Sequence, residues 1–137
     1  MRSNIRWFCH KQPVTVPAIS SRAVPVDLTR LSETMAYAQM FGIVHNPKKY
    51  LGKTARIQDT YVPLPDPANE GTYYHFLVVA DITGCCEIGI EFFLESDRCP
   101  EDYPPEQAQI ELEGVFDMAN ASGNEYICLR AEKLAVL

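Results

Sequence analysis

The chain has 137 residues, 47% of them apolar, with twelve Lys and Arg against eighteen Asp and Glu for a formal charge of −6. That supplies one core, and no window reaches the roughly 18 apolar residues that a membrane-spanning helix needs. Arg2, Arg6, Lys11 and Arg22 precede Asp27 and no acid does, so residues 27–137 carry eight bases against eighteen acids, a balance of −10. A field of that sign repels phosphate backbones and argues against nucleic acid as a partner.

Residues 1–26 read as an irregular arm. Met1-Arg2 supplies the charge of an export signal, yet Ile5, Trp7, Phe8 and Cys9 do not make the apolar run of roughly 7–15 residues that such a signal needs. Pro13, Pro17 and Pro25 favour extended backbone, and the sequence leaves the compartment open. From Asp27 the pattern becomes helical, and a helix is expected over 27–42. Leu28, Leu31, Met35 and Ala38 recur at three- and four-residue steps, with Tyr37, Met40 and Phe41 widening the stripe. Asp27 or Ser32 suits the start as a cap, and Gly42 suits the stop.

After Asn46-Pro47 the period switches to two. Strands are expected over Thr54–Val62, Thr72–Asp81, Gly89–Leu94, Ala108–Phe116 and Glu125–Ala131. In the fourth, Ile110, Leu112, Gly114 and Phe116 face in while Gln109, Glu111 and Glu113 face out. In the last, Ile127, Leu129 and Ala131 share a face. Pro63, Pro65 and Pro67, with Asn69 and Gly71, read as a loop, and so does the stretch from Cys99 to Pro105. The expected class is all-β with one N-terminal helix. The preferred architecture is a small five-stranded, OB-like antiparallel barrel in a single domain over 27–137, with the helix plugging one end; a β-sandwich is the alternative.

Pro47-Lys48-Lys49-Tyr50-Leu51-Gly52-Lys53, Asp102-Tyr103-Pro104, Gly114-Val115-Phe116 and above all the block from Asp81 to Phe92, which reads Cys-Cys-x-x-Gly-Ile-Glu-Phe from Cys85, carry a resemblance. The resemblance is to a family of uncharacterised, mostly Gram-positive bacterial proteins. It runs from about Asp27 to the end. It implies an OB-type domain, often behind an exported or lipoprotein-type leader, and no activity. Two departures stand out: Asp59 replaces a glycine that would let the first strand bend, and a clear leader is missing.

Five cysteines, Cys9, Cys85, Cys86, Cys99 and Cys128, show no C-x-x-C spacing, which excludes a zinc ribbon or finger. His10, His45 and His75 lack the spacing of a metalloprotease helix, and no nucleophile elbow, phosphate loop or dinucleotide glycine pattern is present. No catalytic residue and no cofactor site can be named, and an enzyme is the weaker expectation. The expected function is a binding or interaction module for a protein or a small neutral or cationic ligand. Tyr73 and His75, on the aromatic second strand, are its ligand-face candidates. The alternative is a metal-binding or thiol-redox protein centred on Cys85-Cys86, with Asp81 and Glu91 as further ligands and zinc as the metal. Acidic neighbours argue against a reactive thiol there, since they disfavour thiolate. Adjacent side chains in extended backbone also point to opposite faces.

Overall fold

The computed structural model describes residues 25–94 and 103–137. The arm over 1–24, Cys9, Cys99 and most of the loop from Cys99 to Pro105 lie outside the described residues. The elements in chain order are β1 (Val26–Asp27), a 3₁₀ turn (Leu28–Arg30), α1 (Glu33–His45), a second 3₁₀ turn (Pro47–Lys49), β2 (Thr54–Pro65), β3 (Tyr73–Ala80), β4 (Glu87–Leu94), β5 (Gln109–Ala121) and β6 (Asn124–Val136). The class is all-β with one helix, as the sequence predicts.

The helix differs from expectation in its phase. Both expected caps act, on different elements: Asp27 accepts from Thr29 N at the 3₁₀ turn, and Ser32 accepts from Met35 N at the start of α1. Starting at Ser32, α1 buries Ala36, Met40 and Ile43 at steps of four and three, with Met40 and Ile43 wholly buried. Leu31, Met35 and Ala38, expected to pack inward, are exposed. Gly42 does not stop the helix. It lies inside α1, where a Cβ would come 3.7 Å from the Tyr50 hydroxyl, and the helix ends at Asn46 before Pro47. Gln39 Nε2 donates to Tyr50 Oη at 3.1 Å, and Tyr50 meets Phe116 edge-on, so the helix is tied to the core behind it.

Among the described residues, six strands form one sheet rather than two facing ones. The five long strands pair in a cycle: β2 with β3, β3 with β4, β4 with β6, β6 with β5, and β5 with β2. The sheet is not purely antiparallel, because β4 runs parallel to β6 and the short β1 runs parallel to β2. β2 changes partner midway: Thr54–Thr60 pair with β5, and Thr60–Pro65 pair with β3. Asp59 stands at that change, its Oδ1 accepting from Thr60 N and Thr60 Oγ1 at 2.9 and 3.1 Å. Pro63 and Pro65 belong to β2 rather than to the loop. Tyr61 N donates across to Ala108 O, and the two prolines share its parity, so their nitrogens face the edge that β5 has left.

Core side chains line the inner face of the cycle: Ala55, Ile57 and Tyr61 of β2, Leu77 and Val79 of β3, Ile90 and Phe92 of β4, Ile110, Leu112 and Phe116 of β5, and Ile127, Leu129 and Ala131 of β6. β6 runs past the expected end at Ala131 because Glu132 bulges out between the Glu113–Lys133 and Gly114–Ala131 pairs. Parity flips there, so Leu134 packs on the core two pairs later. The same irregularity draws the strands together at Gly114, where a Cβ would sit 2.0 Å from Arg130 O. Only glycine fits.

Beside the bulge, Asp27, Arg56, Glu113 and Lys133 lie directly opposite one another across β1, β2, β5 and β6. Their charges alternate. Arg56 reaches Asp27 Oδ2 at 3.3 Å and Glu113 Oε2 at 3.1 Å, and Lys133 stands 4.0 Å from Glu113 Oε1. Glu113 can therefore be buried at 7% exposure, because cations flank it on both sides.

Candidate functional site

Strand parity decides which aromatics of β3 are available. Leu77 and Val79 are core, so His75 and Tyr73 fall on the inner face, while Tyr74, Phe76 and Val78 fall on the outer one. The two ligand-face candidates from the sequence thus lie on the core side. His75 is enclosed. Its Nδ1 is hydrogen-bonded to Tyr61 Oη at 2.7 Å, and Tyr103 stacks on its ring at 3.6 Å between centroids. Phe92 completes the cluster. Burial lowers the His75 pKa and favours neutral imidazole, and burial first, then the Tyr103 and Glu106 charges, push the Tyr61 phenol up to about 12. This cluster closes the core between the end of β2, the start of β3 and the end of β4. Tyr73 at the start of β3 is half exposed.

The outer face of β3, β4 and β6 carries a buried carboxylate among aromatic residues. The register sets Phe76, Glu91, Cys128 and Asp117 in one row across four strands, and Val78 beside Gly89 in the next. Glu91 is only 4% exposed. Its Oε1 accepts a short hydrogen bond from Tyr126 Oη, and among the described residues no ion pair reaches it. Burying a carboxylate without a cation is costly, and one phenol offsets only part of that cost. Arg130, on the same face, is turned to Asp117. Among the described residues the other buried carboxylate, Glu113, has Arg56 and Lys133, and Glu91 has no counterpart to them.

Three aromatic residues of the same face neighbour this carboxylate, Tyr126 by hydrogen bond, Phe76 as its cross-strand partner, and Tyr74 two residues along β3. Tyr126 donates to it. Tyr74 feels its charge, and the phenol pKa is raised first by Asp66, whose Oδ2 accepts from Tyr74 Oη at 3.3 Å, and in part by Glu91. The Phe76 ring lies over Gly89, where a Cβ would stand 3.4 Å from Phe76 Cδ1. Tyr74 and Phe93, on the same face, are exposed. Burial and then the Glu91 hydrogen bond raise the Tyr126 pKa, so this phenol stays a donor at neutral pH. Beneath them the Cys128 thiol is pushed up to about 11 by burial first and then by the charges of Asp117 and Glu91. It is therefore not a nucleophile at neutral pH.

The metal candidates from the sequence are not brought together. Asp81, Cys85 and Cys86 share the turn between β3 and β4, but Glu91 lies four residues into β4 on the aromatic face. In the turn, Asp81 Oδ1 accepts from Thr83 Oγ1 at 2.8 Å, Cys85 N at 3.1 Å and Cys86 N at 3.4 Å. One oxygen of Asp81 thus serves the turn itself, and Thr83 first, then the backbone amides, hold its carboxyl below the usual range. Both turn cysteines are exposed, while Cys128 is buried. Sequence reasoning missed Tyr126 and the outward aromatics Tyr74 and Phe76 as a site. The available signal was that Tyr126 has the opposite parity to Ile127 and Leu129. No protein-family model and no curated protein matches the chain.

Proposed function

We propose that the chain is a non-enzymatic binding module that takes a compact cationic group, an alkylammonium, on the outer face of β3, β4 and β6. The observation that carries this reading is Glu91, a buried carboxylate hydrogen-bonded to Tyr126, opposite Phe76 in the register, on the same face as Tyr74, and lacking a cation among the described residues. A carboxylate offers a charge-assisted hydrogen bond, and aromatic faces attract cations, so the two together favour an ammonium head. Tyr126 already occupies one carboxylate oxygen, which favours a point charge over a guanidinium that needs both. Whether the ammonium is a lysine side chain of a partner protein or a small molecule, the recognition chemistry is shared.

The strand order supports an OB-type barrel as the scaffold. In the cycle, the first long strand adjoins the second and fourth, and the third runs parallel to the fifth. In such barrels the second and third strands, here β3 and β4, supply the usual ligand face. We also propose kinship with the Gram-positive family described above; Gly89 and Glu91 both fall within the block that carries that resemblance. The test is an NMR titration with Nα-acetyl-lysine N-methylamide. The reading expects amide shifts clustered at Tyr74, Phe76, Gly89, Glu91 and Tyr126. Shifts scattered over the acidic surface, with none at these positions, would refute it.

A further inference from the structure

We infer that Cys85 and Cys86 form a second, separate site: a two-thiol chelate for a monosubstituted trivalent arsenical or a species of like chemistry. Both thiols are exposed at the turn between β3 and β4, away from the aromatic face. In extended backbone they would diverge to opposite faces. Here the amides of both residues point at the same oxygen, Asp81 Oδ1, at 3.1 and 3.4 Å. Successive amides converge on one acceptor where the backbone between them is curled, so the two cysteines do not stand in extended backbone. The turn is closed at several further points. Asp81 N donates to Cys86 O at 2.9 Å, Gly84 N to Asp81 O at 3.0 Å, and Cys85 N also to Thr83 Oγ1 at 3.2 Å, with Gly84 at φ +70°. The two cysteines thus stand on a turn whose own hydrogen bonds hold its backbone in shape, which lowers the ordering cost of a bidentate ligand.

The donor set decides the class of ligand. Asp81 Oδ1 is engaged by two amides and a hydroxyl, and no group of three or more His, Cys, Asp or Glu side chains able to hold a metal occurs among the described residues. Zinc requires about four ligands and is poorly served by two sulfurs. Soft thiolates prefer thiophilic centres, and a centre that needs only two of them is satisfied here. For an organoarsenic oxide, R–As=O and two thiols give R–As(S–Cys)₂ and one water. Two As–S bonds form, the oxide oxygen leaves as water with the two thiol protons, and no electrons are transferred.

The test uses the full chain, reduced and then freed of reductant, with phenylarsine oxide as the probe and intact mass as the readout. The parent should take up one phenylarsenic group with loss of two free thiols, reversed by 2,3-dimercaptopropanol. Cys85→Ser and Cys86→Ser should each weaken binding by about a hundredfold or more, because the second bond is then no longer intramolecular. Cys9→Ser, Cys99→Ser and Cys128→Ser should leave it unchanged. Both turn positions are exposed, so a melting curve verifies that the variants fold. An adduct that survives either turn substitution, or a parent whose two turn thiols react with iodoacetamide yet take up no arsenical, would overturn the assignment.

Discussion

His75 is kept neutral by its burial against Tyr61, Phe92 and Tyr103, with its pKa below the ordinary 6.5. As pH falls, the unfolded chain therefore takes up the proton first, and the native state loses stability from about pH 6.5 downward. The urea midpoint should fall between about pH 7 and about pH 5, and a component of that fall should be missing in His75→Gln. Equal slopes in the two proteins would show that the imidazole is not desolvated. The opposite sign holds at the alkaline end. Cys128, ordinarily near 9, is raised to about 11, so its protonated form is favoured in the native state and stability drains away as pH climbs through that window. Gly114 is a steric requirement rather than a flexible point. Because a Cβ there would stand 2.0 Å from Arg130 O, Gly114→Ala should cost about 3 kcal/mol or prevent folding. A variant with the parent's denaturation midpoint would mean that the strands separate easily at the bulge.

Among the elements, α1 gives the clearest mutational contrast. Met40→Ala should cost about 2–5 kcal/mol, since it empties a wholly buried site. Met35→Ala, on the exposed face, should change stability by about 0.5 kcal/mol or less. Comparable losses at both positions in chemical denaturation would contradict the phase of the helix. That phase was not legible because α1 is apolar nearly all round, so the sequence offers two stripes and the choice depends on whether the helix starts at Asp27 or Ser32. The strands were legible wherever polar residues alternate with apolar ones, as from Ile110 to Phe116. They were cut short wherever a local exception breaks the pattern: Pro63 and Pro65 on an unpaired edge of β2, and the Glu132 bulge that reverses parity in β6. The two-residue β1 leaves no period to read. The site suffered most on β3, where Tyr73 to Val79 is aromatic and apolar on both faces. Nothing in that run separates Tyr73 and His75 from Tyr74 and Phe76 until Leu77 and Val79 are seen to be core.

At the scale of the whole molecule, the −10 balance over residues 27–137 sets the long-range field. It repels polyanions and raises the encounter rate of cations, most strongly at low salt. No binding to single-stranded DNA or RNA is expected at physiological salt, and fluorescence anisotropy with labelled oligonucleotides checks this. Micromolar affinity with a steep salt slope would mean that Lys48, Lys49, Lys53 and Arg56 act as a local basic patch against the overall field. General attraction of cations must be told apart from recognition at one carboxylate. The decisive measurement is the dissociation constant of Nα-acetyl-lysine N-methylamide for the parent and for Glu91→Gln, taken side by side at about 0.15 M salt, where diffuse attraction is screened. Glutamine keeps an acceptor for the Tyr126 hydroxyl and removes only the charge. The account predicts binding that weakens about tenfold or more in Glu91→Gln, a change of about 1.4 kcal/mol, and none for the uncharged norleucine analogue. Equal affinity of the lysine probe for both proteins, or none for the parent, would contradict it.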